Sequence, residues 1–152
     1  MPSEPANRLN LALTTAALLS QVGREHSTAL DRRFAGFGLT TQQAALLLHA
    51  SREPVSPSKL TEVLGTDTAG MTRLLDRLEV KDLIRRQRTA TDRRAVLIEV
   101  TDEGRALLPR LPVVFGLVNR QLFADFDDNE LEQLLTLCQR MRTNLHKASI
   151  DS

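Results

Sequence analysis

RRQRTATDRRAVLIEVT, Arg85–Thr101, places five arginines, Arg85, Arg86, Arg88, Arg93 and Arg94, within ten residues, offset only by Asp92. Charges of one sign at that density repel one another unless something negative lies across from them. A polyanion is the first candidate. The stretch then changes character: Val96, Ile98 and Val100 alternate with Leu97 and Glu99, the period of two expected of a half-buried strand. Ile84 to Arg88 reads as the strand before it, so the arginines sit on a hairpin with TATDRR as its loop.

Upstream of the hairpin the period becomes helical. Ahead of TAGMTRLLDRLEVKDL, Asp67 is placed to cap, and Met71, Leu74, Leu75 and Leu78 form one apolar stripe, leaving Ala69, Thr72, Arg73 and Asp76 on the opposite face. VSPSKLTEVLG predicts a shorter helix, with Ser56 as N-cap, Pro57 at the first helical position, where its missing N–H is harmless, and Gly65 as the stop. In LTTQQAALLLHAS, Thr40 can cap and Gln43 can answer it in a capping box, with Leu39 just before the cap. The Arg52 to Val55 segment, with Pro54, should end that helix. A long first helix runs from Arg8 to about Phe34, carrying Leu9, Ala12, Leu13, Ala16, Leu19 and Leu30, with Gly36 and Gly38 at its end. Met1 to Asn7 are expected to fray.

Downstream, Thr101 with Asp102 and Glu103 behind it suits the start of a fifth helix. Pro109 and Pro112 each remove a backbone donor, which predicts a bend between Arg105 and Leu111. Asp127 and Glu130 form another capping box before a sixth helix bearing Leu131, Leu134, Leu135, Leu137, Cys138, Met141 and Leu145.

At 152 residues the chain reads as one domain. Its net charge of +1 makes the basic character regional, so only the local distribution can argue for nucleic acid. With Cys138 as the lone cysteine there is no internal disulfide, and no basic segment followed by an apolar one opens the chain. No apolar run approaches the roughly 20 residues of a membrane span. These features predict a cytoplasmic protein. Five phenylalanines and no Trp or Tyr supply few stacking platforms, which favours duplex DNA over single-stranded nucleic acid.

Helix, short turn, helix, then a basic two-stranded loop is the order of a winged helix-turn-helix, in which a helix enters the major groove and a thin hairpin lays arginines on the adjacent backbone and minor groove. Residues 39 to 145 resemble the MarR family of bacterial transcription regulators, and the first helix fits its N-terminal part. DRRAVLIEVT, Asp92 to Thr101, matches the family's wing pattern of Asp, any residue, Arg, three residues, an apolar residue, any residue, Leu, Thr, with Val100 in place of Leu. LLDRLEVKDLIRRQR resembles its recognition helix and first wing strand. Where the family commonly has Gly, this sequence has Asp82, which tolerates positive φ better than most residues.

The resemblance implies a mainly α fold: a winged helix-turn-helix with a small antiparallel β-hairpin wing and N- and C-terminal dimerisation helices. It is expected to be a single domain over 1–152, with 8–37 and 106–147 as dimerisation helices and 39–105 as the DNA-binding region. It further implies a homodimer on a palindromic operator, most simply a repressor released by a small-molecule effector. By the family pattern Thr68, Ala69, Thr72 and Arg73 face the major groove. Arg93 or Arg94 enters the minor groove, Arg86 and Arg88 complete the basic wing, and Asp92 pins an arginine. Arg77 and Lys81 are expected to pair with neighbouring acids.

His26 and His49 are candidates for the family's ligand cleft, or are satisfied structural histidines. His26, His49 and His146 lack ligand spacing for a metal. Cys138, among leucines, is expected to be a buried inert thiol, as a peroxide sensor needs a depressed pKa and solvent access. There is no GxSxG, Walker loop or dinucleotide fingerprint, so neither an enzyme nor a cofactor is implied. The competing reading is a winged-helix interaction module that does not read DNA, since fold does not fix function.

Overall fold

A computed structural model of the chain describes residues 4–89 and 95–150. The elements run α1 (Glu4–Phe34), α2 (Thr41–Ala50), α3 (Pro57–Leu64), α4 (Thr68–Val80), β1 (Ile84–Arg88), β2 (Val96–Val100), α5 (Asp102–Leu107), α6 (Leu111–Leu122) and α7 (Asp128–Ile150), with 3-10 turns at Ala35–Phe37 and Leu108–Arg110. The fold is the mainly helical winged helix-turn-helix with one antiparallel hairpin that the sequence predicts. By its internal contacts the chain divides into two units, Met1–Val118 and Asn119–Ser152.

Local chemistry sets the helix starts. The Thr40 hydroxyl accepts from the Gln43 N–H at 3.2 Å while Gln43 Oε1 accepts from the Thr40 N–H at 3.1 Å. Ser56 accepts from the Lys59 N–H at 3.2 Å, Asp67 from Gly70 at 2.6 Å and Thr101 from Gly104 at 3.1 Å. Each bond satisfies a backbone donor that a helix start leaves open. α1 begins at Glu4, earlier than the two N-terminal prolines suggest, because Pro5 falls in its first turn. The end of α4 is a Schellman turn: Leu83 N–H donates to Leu78 at 3.0 Å and Asp82 N–H to Glu79 at 2.9 Å, with Asp82 left-handed at φ 57°.

The core of the first unit draws Phe34 from α1, Leu46 and Leu47 from α2, Leu60 from α3, Met71, Leu75 and Leu78 from α4, Ile84, Ile98 and Val100 from the hairpin, and Leu111 and Val114 from α6. Burying each of these side chains contributes about 1.5–3 kcal/mol, so α4 is fixed by its apolar stripe with the opposite face left free. Phe34 and Phe115 stack with centroids 4.9 Å apart. Val55 also exchanges two backbone hydrogen bonds with Ile98, at 3.1 and 2.8 Å, adding a one-residue third strand. The sequence marked this segment only as a helix terminator, and a single residue carries no periodicity to read.

The helix after the hairpin is interrupted within the stretch where the prolines fall. α5 ends at Leu107, Pro109 lies in the 3-10 turn, and Pro112 is the second residue of α6. Proline is tolerated at those positions because the first turn of a helix does not use its own N–H groups.

Along α1, Leu9, Leu11, Leu13 and Leu18 are more than half exposed, and Leu30 and Phe34 near its C-terminus enter the core. In the second unit Asp127 and Glu130 form the predicted capping box at 2.9 and 2.8 Å, and Phe123 meets Phe126 edge-on. Leu135, Leu137 and Leu145 of α7 are exposed, and Cys138 is half-buried rather than buried, because the apolar face around it is itself open in the single chain. Among the described residues no helix is long and apolar enough to cross a membrane.

Candidate nucleic-acid interface

α4 supplies the first part of the site. With about 3.6 residues per turn, Ala69, Thr72, Arg73 and Asp76 share the face opposite the buried Met71, Leu74, Leu75 and Leu78, and all four are exposed. Thr68 opens the helix, also exposed, above the Asp67 cap. The start of α4 is tight: a Cβ on Gly70 would lie 2.5 Å from Thr66 Oγ1 and 2.9 Å from Asp67 Oδ1, so glycine lets the cap close. The Thr72 hydroxyl donates to the Thr68 carbonyl at 3.0 Å, leaving its methyl as the free end of the side chain.

The hairpin supplies the second part. Its register pairs Arg85 with Glu99, Arg86 with Ile98 and Arg88 with Val96. Arg85 Nη2 lies 2.9 Å from Glu99 Oε2. Arg86 reaches the other way: Nη2 sits 2.5 Å from Asp76 Oδ1 and Nη1 contacts Glu79, both on α4. Burial alone would lower the Arg86 pKa, but hydrogen bonding to Asp76 and Glu79 and their charges outweigh it, so the guanidinium is held above its usual value. Arg88 is exposed toward the wing tip. Asp92, Arg93 and Arg94 lie outside the described residues.

α3, α4 and the hairpin enclose an open groove of about 440 Å³, lined by Pro57, Thr61, Thr68, Met71, Thr72, Leu75, Arg86 and Val96 among others. The candidate reader residues Thr68 and Thr72 and the wing arginine Arg86 are therefore brought to one place. His26, half-buried on α1, and His49, exposed on α2, are not part of that groove. Among the described residues no group of three or more His, Cys, Asp or Glu could hold a metal ion. Among the described residues Lys81 pairs with no acid; its ammonium donates to the Gly38 carbonyl at 2.5 Å and to Gln43 Oε1 at 3.0 Å, tying the end of α4 to the α1–α2 junction.

The sequence profile of the MarR family matches residues 37–95, the span from the end of α1 through the first half of the wing. A crystal structure of MarR is 28% identical, covering 90% of this chain and 94% of that one with a TM-score of 0.71. A probable transcriptional regulator from Pseudomonas aeruginosa is 28% identical, over 83% and 95% of the two chains, at 0.74. Over residues 37–95 the chain matches the MarR family model, and along most of its length it is similar to solved MarR regulators. A MarR variant from E. coli complexed with operator DNA shares the fold, with 24% identity over 87% of this chain and 96% of that one, and a TM-score of 0.77.

Asp82 keeps the left-handed turn that glycine commonly makes in the MarR pattern, and Val100, standing for Leu in the wing pattern, is buried, as is Leu83. Reading the sequence missed the acids that meet the arginines. The Arg85–Glu99 pair was accessible in principle, since the hairpin register sets those residues opposite each other. The Arg86 contacts were not, because they depend on how the wing docks against α4.

Proposed function

We propose that this protein is a MarR-family, sequence-specific double-stranded DNA-binding transcription regulator that acts as a cytoplasmic homodimer, a repressor on a palindromic operator that a small molecule releases. The observation that carries the reading is the exposed face of α4, with Thr68, Ala69, Thr72 and Arg73, beside a hairpin bearing Arg88. A helix of that width fits the major groove of about 12 Å, and the wing then meets the flanking backbone. The wing pattern assigns Arg93 or Arg94 to the minor groove, with Asp92 pinning an arginine. The open apolar rows on α1 and on α7 support a homodimer, since exposed contiguous apolar surface marks interaction sites. Two-fold symmetry then sets half-sites about one helical turn, 10 bp, apart.

The effector is assigned by resemblance to the cleft that includes His26 and His49. Such a ligand releases DNA only if it binds better to a form whose recognition helices have the wrong spacing. Substituting either histidine by alanine should weaken effector-driven release and leave DNA affinity intact.

The internal pairing of Arg85 and Arg86 favours a second reading, a dimeric interaction module that does not read sequence. Selection of tight binders from a random duplex pool, followed by a salt titration, separates the two. Enrichment of a two-fold motif with a steep salt dependence is the expected result. Recovery of unenriched sequence with weak, salt-insensitive binding would leave the interaction module standing.

A further inference from the structure

We propose that Arg86 serves DNA binding from inside the protein, as a positioning residue that holds the wing to the recognition helix and cancels acidic charge on the helix face turned to DNA. The inference rests on the DNA-binding reading above. Both terminal nitrogens of Arg86 are engaged, one by Asp76 and one by Glu79, residues one helical turn apart on α4. The guanidinium fork suits this use, because its donors diverge at fixed angles and meet two carboxylates at once, whereas an ammonium offers a single point charge. Its side chain is 30% exposed, against 57% for Asp76 and 41% for Glu79. The acids thus face outward and the arginine lies beneath them.

Asp76 shares the exposed face of α4 with Ala69, Thr72 and Arg73. A carboxylate there is repelled by phosphate, and two uncompensated ones would oppose docking of the helix. Arg86 leaves one net negative charge in the cluster where its loss would leave two. For Arg86 to reach a phosphate instead, it would have to abandon both acids and restore the repulsion that it now cancels. The same contacts fix the middle of β1 against α4, so the wing and the reader helix approach DNA as one piece.

The test is a thermodynamic cycle on the full chain, using the tightest duplex selected from a random pool and fluorescence anisotropy at low salt. Arg86→Gln should weaken binding roughly tenfold in the native background, since it adds one net negative charge to the face turned to DNA and frees the wing from α4. In a background carrying Asp76→Asn and Glu79→Gln the same substitution should change affinity by less than about twofold, because nothing is left for Arg86 to cancel. Arg86→Lys, which keeps the charge but not the fork, should recover only part of the binding that Arg86→Gln loses, the part that comes from cancelling charge. The selected sequence should be the same for wild type and Arg86→Gln. A loss of twofold or more in the neutralised background makes Arg86 a direct phosphate contact and overturns the proposal, and a lysine variant that binds like wild type overturns the positioning role of the fork. If the unsubstituted protein selects no duplex, the DNA-binding reading fails and this one falls with it.

Discussion

Gly104 has no room for a side chain. A Cβ there would lie 2.3 Å from the Leu83 carbonyl oxygen and 2.6 Å from Val100 Cγ1. That carbonyl is held in place by the Thr101 N–H at 3.1 Å, so it cannot retreat without loosening the join between wing and α5. Gly104→Ala should therefore cost about 1–3 kcal/mol, as overpacking does, and should lower the urea midpoint with little change in slope. Asp82 is the opposite case. Its φ of 57° is imposed by the turn that ends α4, and an L side chain is disfavoured there. Asp82→Gly should raise stability by about 1 kcal/mol, and an unchanged or lower urea midpoint would mean that the side chain stabilises the turn through its own interactions. The turn at Asp82 was legible in the sequence through the MarR resemblance, whose pattern commonly has Gly at that position. The constraint on Gly104 was not, because the atom that excludes a side chain belongs to a distant residue.

At the scale of elements, the caps and stripes were legible and the docking was not. Thr40 with Gln43, Ser56, Asp67, Thr101, and Asp127 with Glu130 all act within three residues of themselves, so the information is local. The Val55–Ile98 bridge, the Lys81 tie to Gly38 and the fork of Arg86 on α4 join elements that meet only once the chain is packed. This alters how the cluster of five arginines reads. Two of them, Arg85 and Arg86, are met by the protein's own acids, which leaves Arg88 as the described wing arginine best placed for an external partner. Arg88→Ala should reduce the slope of log affinity against log salt by about 0.9 for each phosphate that the arginine neutralises, without altering the preferred sequence. Arg73→Ala, on the reader face of α4, should weaken base preference by about 1–3 kcal/mol if it bridges a base edge. A binding-site profile identical to that of the wild type would remove Arg73 from the readers.

For the whole molecule the question is what covers α1. Leu11 and Leu18 are seven residues apart on α1, which puts them on one side of the helix, and both are exposed, at 68% and 58%. Water contact over a row of leucines is unfavourable by about 25 cal/mol per Å², so a helix of this kind is expected to be covered by another protein surface. The proposed second copy of the chain would satisfy that requirement and would also account for two reader helices at a fixed separation, which the proposed palindromic site needs. Replacing both Leu11 and Leu18 with Glu places two carboxylates in that surface, where burial of unpaired charge is strongly disfavoured. The effect should be dissociation, read by sedimentation as a shift to the mass of one chain, 16.9 kDa. The winged region should stay folded, because neither leucine belongs to its core. Affinity for a two-half-site operator should fall far more than affinity for a single half-site, since only the former gains from two linked half-site interactions. A double variant that stays dimeric and keeps its operator affinity would move the interface away from this face of α1.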